Sequence, residues 1–321
     1  MLKKKPTKNT KKKILIGLPA YNEEKYINHT ISKILKIIKS LKNYSIDILA
    51  VDDGSSDNTS KIFNEFHKKN KNFNYFTFIK NFGKDSAIQS IIQNSLDYDS
   101  LIILDGDGQH PPELIIKFLE EWEKGNMLVT GYRKKNNYNF LRLIFTRFFY
   151  FMFGVLTKTN MEQNSTDYKL IDNSLLKKIS QISSKTIAIK PLLSWFSKSQ
   201  KKIYFDVIEI EKKSNFNFLK LVNYAVGNIV SFSAQPLYLI GYLGISITLV
   251  SIVILIYVAF SYFILSYSFK IATILIVINT LLFGILLFSV GIIGFYLAQV
   301  NRESLELPRY IIDKKHTHKN K

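Results

Sequence analysis

The sequence lacks cysteine altogether and is poor in acidic residues. With no cysteine among 321 residues, disulfide bonds and thiolate metal sites are excluded, and the composition fits a reducing compartment. Lys and Arg total 44 against 25 Asp and Glu, which gives a formal net charge of +19. So basic a chain predicts an anionic partner: a nucleic acid, a phosphate-rich ligand or an anionic membrane surface. The 5 histidines are scattered along the sequence, and no metal site is expected among them.

Acidic residues are also absent from two long apolar runs near the carboxyl terminus. The runs span about 236–265 and 271–299, and Lys270 is the only charged residue between them. About 20 helical residues cross the ~30 Å hydrocarbon core of a membrane. Neither run places polar residues at the helical period of 3.6, as a core helix of a soluble protein would. We therefore expect two transmembrane helices within residues 235–300, rather than a pair of buried helices.

The positive charges around this hairpin predict its orientation. The connection between the two runs carries one lysine, whereas the residues that follow carry Arg302, Arg309, Lys314, Lys315, Lys319 and Lys321. By the positive-inside rule, both termini face the cytoplasm, and the chain is a multi-pass protein of the cytoplasmic (inner) membrane. Residues 1–12 are expected to form a basic disordered tail on anionic lipid, and residues 301–321 a basic cytoplasmic tail. No apolar segment of a signal peptide follows the first lysines. A chain held in a membrane meets lipid phosphates first, so no nucleic-acid partner is expected.

The residues before the hairpin alternate between apolar, β-rich runs and helical patterns. The first run, residues 13–20, precedes a segment with apolar residues at helical spacing, for which Asn22 is a candidate N-cap. The same plan of strand, turn and helix recurs until the fifth run, "NMLVTGYR". This alternation predicts an α/β fold with a mostly parallel sheet and helices on both faces. Ligands of such sheets bind at the carboxyl ends of the strands.

Unusual polar residues lie at four of these strand ends. They are "PAYNE" at 19–23, "DDGS" at 52–55, "KNFGK" at 80–84 and "DGDGQ" at 105–109. One acidic strand end alone is usually a helix cap or an Asx turn. Two acidic pairs at one sheet edge would repel each other unless a cation neutralised them.

The last of these stretches predicts a metal site. Asp105 and Asp107 are two residues apart at a strand end, so both side chains project to one side and approach one ion. Gln109 offers a further oxygen. Because only oxygen ligands are on offer, Mg²⁺ or Mn²⁺ is the expected ion. A turn without metal is the alternative.

Six motifs, in order, resemble those of family 2 glycosyltransferases with the GT-A fold: "LPAYNEE", "VDDGSSDNT", "KNFGK", "LDGDGQHPPEL", "GYR" and "DYKLI". Within that family the chain is similar to the polyprenyl- or dolichol-phosphate sugar transferases, in the bacterial branch with two carboxy-terminal membrane helices, such as bactoprenol glucosyltransferases. The resemblance covers roughly residues 13–312 and implies a Rossmann-like GT-A domain over 13–214. The chain departs from the pattern at Gly106, where relatives often have alanine, and at His110, where many bacterial members have aspartate.

The resemblance implies a donor site for a nucleotide sugar. It implies that the nucleoside is held by Pro19, Tyr21, Glu23 and Asp52, with Asp53 and Lys84 close to the same donor. It further implies that Asp105, Asp107 and Gln109 hold the metal that bridges the diphosphate.

An acceptor side is expected beyond the fifth strand. Residues 139–156 are helical in pattern, aromatic and basic at once, which suits a helix in the membrane interface; a core helix with surface arginines is the alternative. A second amphipathic helix is expected over 215–234. The resemblance implies that Arg133 and Arg147, with Lys169, bind the phosphate of the lipid. Asp167 lies where the family places an acceptor-side residue, although pairing with a local lysine is the plain alternative.

The function implied is an inverting, metal-dependent transfer of a sugar from a nucleotide diphosphate sugar to undecaprenyl phosphate. A UDP-sugar is favoured over GDP-mannose, and Asp105, Asp107, Asp167 and Arg133 are the candidate catalytic residues. The resemblance also implies a homo-oligomer, since relatives with this hairpin tend to assemble into tetramers. The alternatives are a processive polysaccharide synthase, which would need more spans and a Gln-x-x-Arg-Trp motif, and a non-enzymatic membrane protein that binds nucleotide sugars.

Overall fold

The described residues of the computed structural model belong to two compact units. The structure describes residues 11–134, 151–156, 164–181, 200–208, 271–304 and 308–318, with single residues at 147, 192 and 193 and at helical positions between 235 and 260. The first unit holds residues 1–151, 159–215 and 308–321, and the second holds residues 152–158 and 216–307.

An eight-stranded sheet organises the first unit. Its strands are β1 (Lys12–Ala20), β2 (Tyr44–Asp52), β3 (Phe73–Phe78), β4 (Ser100–Ile103), β5 (Leu128–Arg133), β6 (Ser165–Asp172), β7 (Lys201–Phe205) and β8 (Ile312–His316). They lie in the order β7-β5-β6-β4-β1-β2-β3-β8. Only β6 and β8 run against the other six strands. The predicted α/β fold with a mostly parallel sheet is confirmed.

A helix follows each of the first four strands, as the alternation predicts. The helices are α1 (Glu24–Ser40), α2 (Thr59–Lys69), α3 (Lys84–Gln93), α4 (Leu114–Glu123), α5 (Asn173–Ser180) and α6 (Ile271–Ser304). Helix α1 begins two residues after the predicted N-cap Asn22, whose own φ is 56°. The Asn22 side chain instead accepts a hydrogen bond from the Ser56 backbone N–H at 2.9 Å, so it joins two loops and caps no helix.

The core lies on the central strands and beneath α1. The last seven residues of β1 are all buried, as expected for a parallel strand covered on both faces. From α1, Ile27, Ile31 and Ile34 are fully buried against the same core, at the helical spacing read from the sequence. Each such side chain contributes roughly 1.5–3 kcal/mol when removed from water. The core therefore fixes the strands whose ends carry the polar motifs.

The edge strand β8 is an element that the sequence analysis did not predict. It lies within the expected basic tail and pairs antiparallel with β3. Tyr310, just before it, stacks on Phe78 with ring centroids 4.9 Å apart, and its hydroxyl donates to the side chain of Gln93. His316 stacks on Tyr75 at 4.4 Å. Histidines that are scattered in the sequence meet here, since His318 also stacks on His67 at 3.9 Å.

Helix α6 is the main element of the second unit. It contains Leu282–Asn301, which alone among the described residues is a helix long and apolar enough to cross a membrane. The other predicted span, 236–265, falls mostly outside the described residues, although those described between 235 and 260 are helical. Of the predicted disordered tail 1–12, residues 1–10 lie outside them, whereas Lys12 is the first residue of β1. The predicted helix 215–234 lies outside the described residues too. Of the predicted interface helix 139–156, residue 147 and residues 151–156 are described and are helical, with Phe151 and Val155 exposed.

Candidate active site

The topology brings the predicted motifs to one edge of the sheet. Strands β1 to β5 all end at this edge, and the antiparallel strand β6 begins there. A cavity of about 340 Å³ opens among these strand ends, within the size range of small-ligand sites. Its lining includes the predicted donor-side residues Pro19, Tyr21, Glu23, Asp53, Lys84, Asp105 and Asp107.

The loops after β1 and β2 hold each other in place. Asn22 donates its backbone N–H to the Ser55 hydroxyl at 2.9 Å, and Glu23 donates its own to the Thr59 hydroxyl at 2.9 Å. The side chain of Tyr21, which precedes these two residues, lines the cavity and is 45% exposed. The loop is thus fixed by its backbone while the aromatic ring stays free to contact a ligand.

Asp52 and Asp53 are adjacent but face different surroundings. Asp52 is fully buried, and its Oδ1 accepts the Ser55 N–H at 2.9 Å. Asp53 is 2% exposed and accepts two backbone N–H groups, from Phe82 at 2.7 Å and from Gly83 at 2.9 Å. Burial raises the pKa of both carboxyl groups, and these hydrogen bonds act in the opposite direction. Asp53 therefore anchors the loop that leads into α3.

Gly54 fits the close approach of that loop. Its φ is +69°, and a Cβ there would lie 2.4 Å from the carbonyl carbon of Lys80 and 2.8 Å from the backbone nitrogen of Asn81. Only glycine meets both conditions without strain. The motif "DDGS" thus brings two loops into backbone contact, which a simple helix cap would not require.

Asp105, Asp107 and His110 form a compact group after β4. Each offers a ligand atom, and these atoms all lie within 4.8 Å of one another. No other such group of His, Cys, Asp and Glu side chains occurs among the described residues. Two carboxylates and an imidazole suit a divalent transition ion such as Mn²⁺, and the two carboxylates alone suit Mg²⁺.

His110 is the member of this group that sequence reasoning missed. It is 2% exposed, and neither ring nitrogen has a hydrogen-bond partner among the described residues. Its Nδ1 lies 3.7 Å from an oxygen of Asp105. Burial lowers the pKa of His110, and the neighbouring carboxylates oppose that effect. The signals in the sequence were its place three residues after Asp107 and its departure from the aspartate that many bacterial members of the family have there.

Lys84 joins two carboxylates that come from different strands. Its Nζ lies 2.7 Å from Asp105 and 2.6 Å from Asp167. Desolvation lowers the pKa of Lys84, but the two carboxylates outweigh it and hold that pKa above its usual value. Lys84 thus reaches Asp167 across 83 positions of the sequence. The sequence placed Lys84 near the donor and did not reveal this bridge.

The remaining acceptor-side residues are distributed more widely. Arg133 is half-buried at the end of β5, and its guanidinium donates to Gln109 Oε1 at 3.2 Å. The oxygen expected to bind metal is thus engaged by an arginine. Lys169 is 3% exposed, with its Nζ 3.3 Å from the Ser165 hydroxyl. Arg147 is exposed and its sequence neighbours lie outside the described residues, so its pairing with Arg133 stays a prediction.

Comparison with known proteins finds a family pattern and relatives that match over nearly the whole chain. The pattern of glycosyl transferase family 2 matches residues 15–180. An uncharacterized glycosyltransferase of Synechocystis sp. is 30% identical over 302 residues, which cover 92% of this chain and 93% of the relative. A prophage bactoprenol glucosyl transferase homolog of Escherichia coli is 27% identical over 302 residues, covering 94% and 98%.

Likeness to solved structures is more distant. Glucosyl-3-phosphoglycerate synthase of Mycobacterium tuberculosis, in complex with phosphoglyceric acid, covers 69% of this chain and 79% of its own. The identity is 15% and the TM-score 0.48, values too low to base a functional assignment on.

Proposed function

The chain belongs to glycosyl transferase family 2, and on that premise we propose that it transfers a sugar from a nucleotide diphosphate sugar to a polyprenyl phosphate. It is a glycosyltransferase by family; the donor, the acceptor and the membrane attachment are what we propose. One observation carries the proposal. The acidic pair Asp105 and Asp107 lines a ligand-sized cavity, and the acceptor-side Asp167 is one lysine away from it.

The acceptor class is supported by the relatives and by α6. A relative that matches over nearly the whole length of both chains carries the name bactoprenol glucosyl transferase homolog. A helix able to span a membrane follows the candidate catalytic residues in the sequence. We extend that acceptor to this chain as undecaprenyl phosphate, with a UDP-sugar as favoured donor. We further propose that the chain has a GT-A domain and a two-helix transmembrane hairpin, that its catalytic domain and both termini face the cytoplasm, and that it forms a homo-oligomer.

The donor side would combine an aromatic surface with a cation site. The exposed ring of Tyr21 offers a flat face for a nucleobase, since planar bases stack on aromatic side chains. Asp105 and Asp107 would hold Mg²⁺ or Mn²⁺, with Gln109, or His110 in the case of Mn²⁺, as a further ligand. Such an ion, when bound, neutralises charge that develops on the leaving diphosphate.

The acceptor needs positioning more than it needs a strong base. A phosphate monoester has a second pKa near 6, so its oxygen is already largely anionic at neutral pH. That oxygen would attack the anomeric carbon from the face opposite the diphosphate, so that the bond to the diphosphate breaks with inversion. Arg133, with Arg147, would hold the phosphate against the repulsion between two anionic substrates, a task that suits the guanidinium fork. Asp167 would orient this nucleophile or accept a residual proton.

A transfer assay on the purified full chain tests the proposal. A panel of radiolabelled nucleotide sugars is incubated with undecaprenyl phosphate and Mg²⁺ or Mn²⁺, and label is counted in the organic phase. We expect organic-soluble label with one donor, and a loss of about a hundredfold or more in Asp107→Ala. The exposed Asp97, outside the cavity, gives the matched control Asp97→Ala, which should transfer normally. Transfer at near wild-type rate by Asp107→Ala would overturn the site, and donor binding without transfer would favour the non-enzymatic alternative.

A further inference from the structure

The charges at the cavity are held in an arrangement that a metal ion would have to change. Three carboxylates, those of Asp105, Asp107 and Asp167, lie at this sheet edge, and the ammonium of Lys84 contacts two of them at 2.6–2.7 Å. Asp105 is also a member of the group that suits a divalent ion. The carboxylate of Asp105 is thus paired with the Lys84 ammonium and also belongs to the expected site of a metal ion.

The backbone of Lys84 is anchored, whereas its side chain is partly exposed and, among the residues that the structure describes, is held by ion pairs alone. Lys84 is the first residue of α3, and the preceding Gly83 is anchored through its N–H to the buried Asp53. The side chain itself is 45% exposed. A lysine stem has four rotatable carbons and carries a compact point charge, so the ammonium can move by several ångströms without any change in the helix.

Asp167 gives this motion a second anchor. It is half-buried near the start of β6 and lies 2.6 Å from Lys84 Nζ. Asp167 is not a member of the ligand group formed by Asp105, Asp107 and His110. An ion on Asp105 would therefore displace Lys84 from one carboxylate and leave it attached to the other, on the side expected to receive the acceptor.

We propose that Lys84 is an exchangeable internal cation: it neutralises Asp105 when the site is free of metal, leaves Asp105 when a divalent ion binds, and then contacts a phosphate oxygen of a substrate. This inference rests on the proposed function for its last step. Phosphate oxygens come from two sources here, the donor diphosphate and the lipid phosphate. The exchange links occupation of the metal site to capture of an anionic substrate.

Metal affinity measured without turnover tests the first half. Mn²⁺ is titrated into the purified full chain in detergent without nucleotide, and free Mn²⁺ is followed by electron paramagnetic resonance. We expect Lys84→Met, which removes the charge and keeps the length, to bind Mn²⁺ about tenfold more tightly than wild type, because the competing cation is gone. Lys84→Arg should stay close to wild type. The matched control is Lys80→Met, because the Lys80 ammonium lies over the Phe82 ring and forms no ion pair with Asp105 or Asp167 in the part of the chain that the structure describes.

Ligand affinity tests the second half. With Mn²⁺ saturating, UDP and undecaprenyl phosphate are titrated separately into wild type and Lys84→Met. About tenfold weaker UDP binding would assign the freed ammonium to the donor diphosphate, and about tenfold weaker lipid binding would assign it to the acceptor. Unchanged affinity for both would overturn the exchange. Lys84→Gln takes the place of Lys84→Met if that variant does not fold.

The outcomes separate this inference from the proposed function. If Lys84→Met binds Mn²⁺ no more tightly than wild type, or binds none, the inference is wrong whatever the enzyme transfers. If the variant binds Mn²⁺ more tightly and loses UDP affinity while wild type transfers nothing to polyprenyl phosphate, the inference stands and the proposed acceptor falls.

Discussion

Replacing Asp53 by asparagine tests how the loop before α3 is held. The Asp53 carboxylate accepts the N–H groups of Phe82 and Gly83 at 2.7 and 2.9 Å, one on each oxygen. An amide of the same shape has one acceptor oxygen, so its NH₂ group would face a backbone N–H donor. At a position only 2% exposed, little water is available to replace the lost partner.

The expected loss is moderate because two effects oppose each other. A hydrogen bond to a charged acceptor contributes about 1.5–3 kcal/mol, and a buried donor left unpaired costs a similar amount. Burial disfavours the ionised carboxylate and so raises the pKa of Asp53, whereas the neutral amide avoids that penalty. We expect Asp53→Asn to lower the free energy of unfolding by about 2 kcal/mol.

Denaturant unfolding of the full chain in detergent, followed by tryptophan fluorescence, measures this loss. The control is Asp99→Asn, because the exposed Asp99 accepts one backbone N–H, that of Lys13, at 2.7 Å away from the cavity. It should lose less than about 1 kcal/mol, since solvent replaces the bond. Equal losses in the two variants would refute the claim that Asp53 anchors the loop. Asp53→Asn should also weaken UDP binding in the presence of Mn²⁺, whereas Asp99→Asn should not.

Three further outcomes are expected. Gly54→Ala should destabilise the protein by more than about 1–2 kcal/mol, the cost of a left-handed alanine, because its Cβ also meets the Lys80 backbone. Gly106→Ala should lose about 1 kcal/mol in the same unfolding assay, because its Cβ comes closer than 3.0 Å only to the terminal methyl carbon of Ile27, at 2.7 Å. Burial, with the charges of His67 and Lys314, lowers the pKa of His316, so the folded state binds fewer protons than the unfolded state. The stability should therefore be full above the ordinary histidine pKa of about 6.5 and should fall as the pH drops below it. His316→Phe, which keeps a ring on Tyr75, should flatten that dependence, and an unchanged pH profile would contradict this reasoning. Tyr310→Ala should remove a stacked pair that contributes about 0.5–1.5 kcal/mol, and faster hydrogen exchange at the β8 amides would reveal it.

The parts of the fold that depend on local pattern were predictable. The buried run of β1 and the spacing of Ile27, Ile31 and Ile34 record burial directly, because a parallel strand covered on both faces and a helix with one covered face leave different periods in a sequence. The meeting of the acidic strand ends followed from the same logic, since parallel strands end at one edge. Lys84, Asp105 and Asp107 line one cavity, as expected.

What could not be predicted depends on partners distant in sequence. The bridge from Lys84 to Asp167 requires β6 to run antiparallel beside β4, and no local pattern encodes the direction of a strand. Likewise Asn22 is a residue type that often caps helices, but its side chain accepts a hydrogen bond from Ser56 in the loop after β2 instead. His110 was assessed by spacing to other histidines, whereas its neighbours in the fold are carboxylates.

The placement of β8 has a consequence for biosynthesis. The edge of β3 that it covers lies far upstream in the sequence: the backbone N–H of His318 donates a hydrogen bond to the side chain of Asn74, 244 residues earlier. A ribosome therefore completes the helix α6 before it delivers the strand that closes the sheet. Until then an unpaired edge is open to other nascent chains, so shortening the chain before residue 312 should lower soluble yield far more than removing the first ten residues.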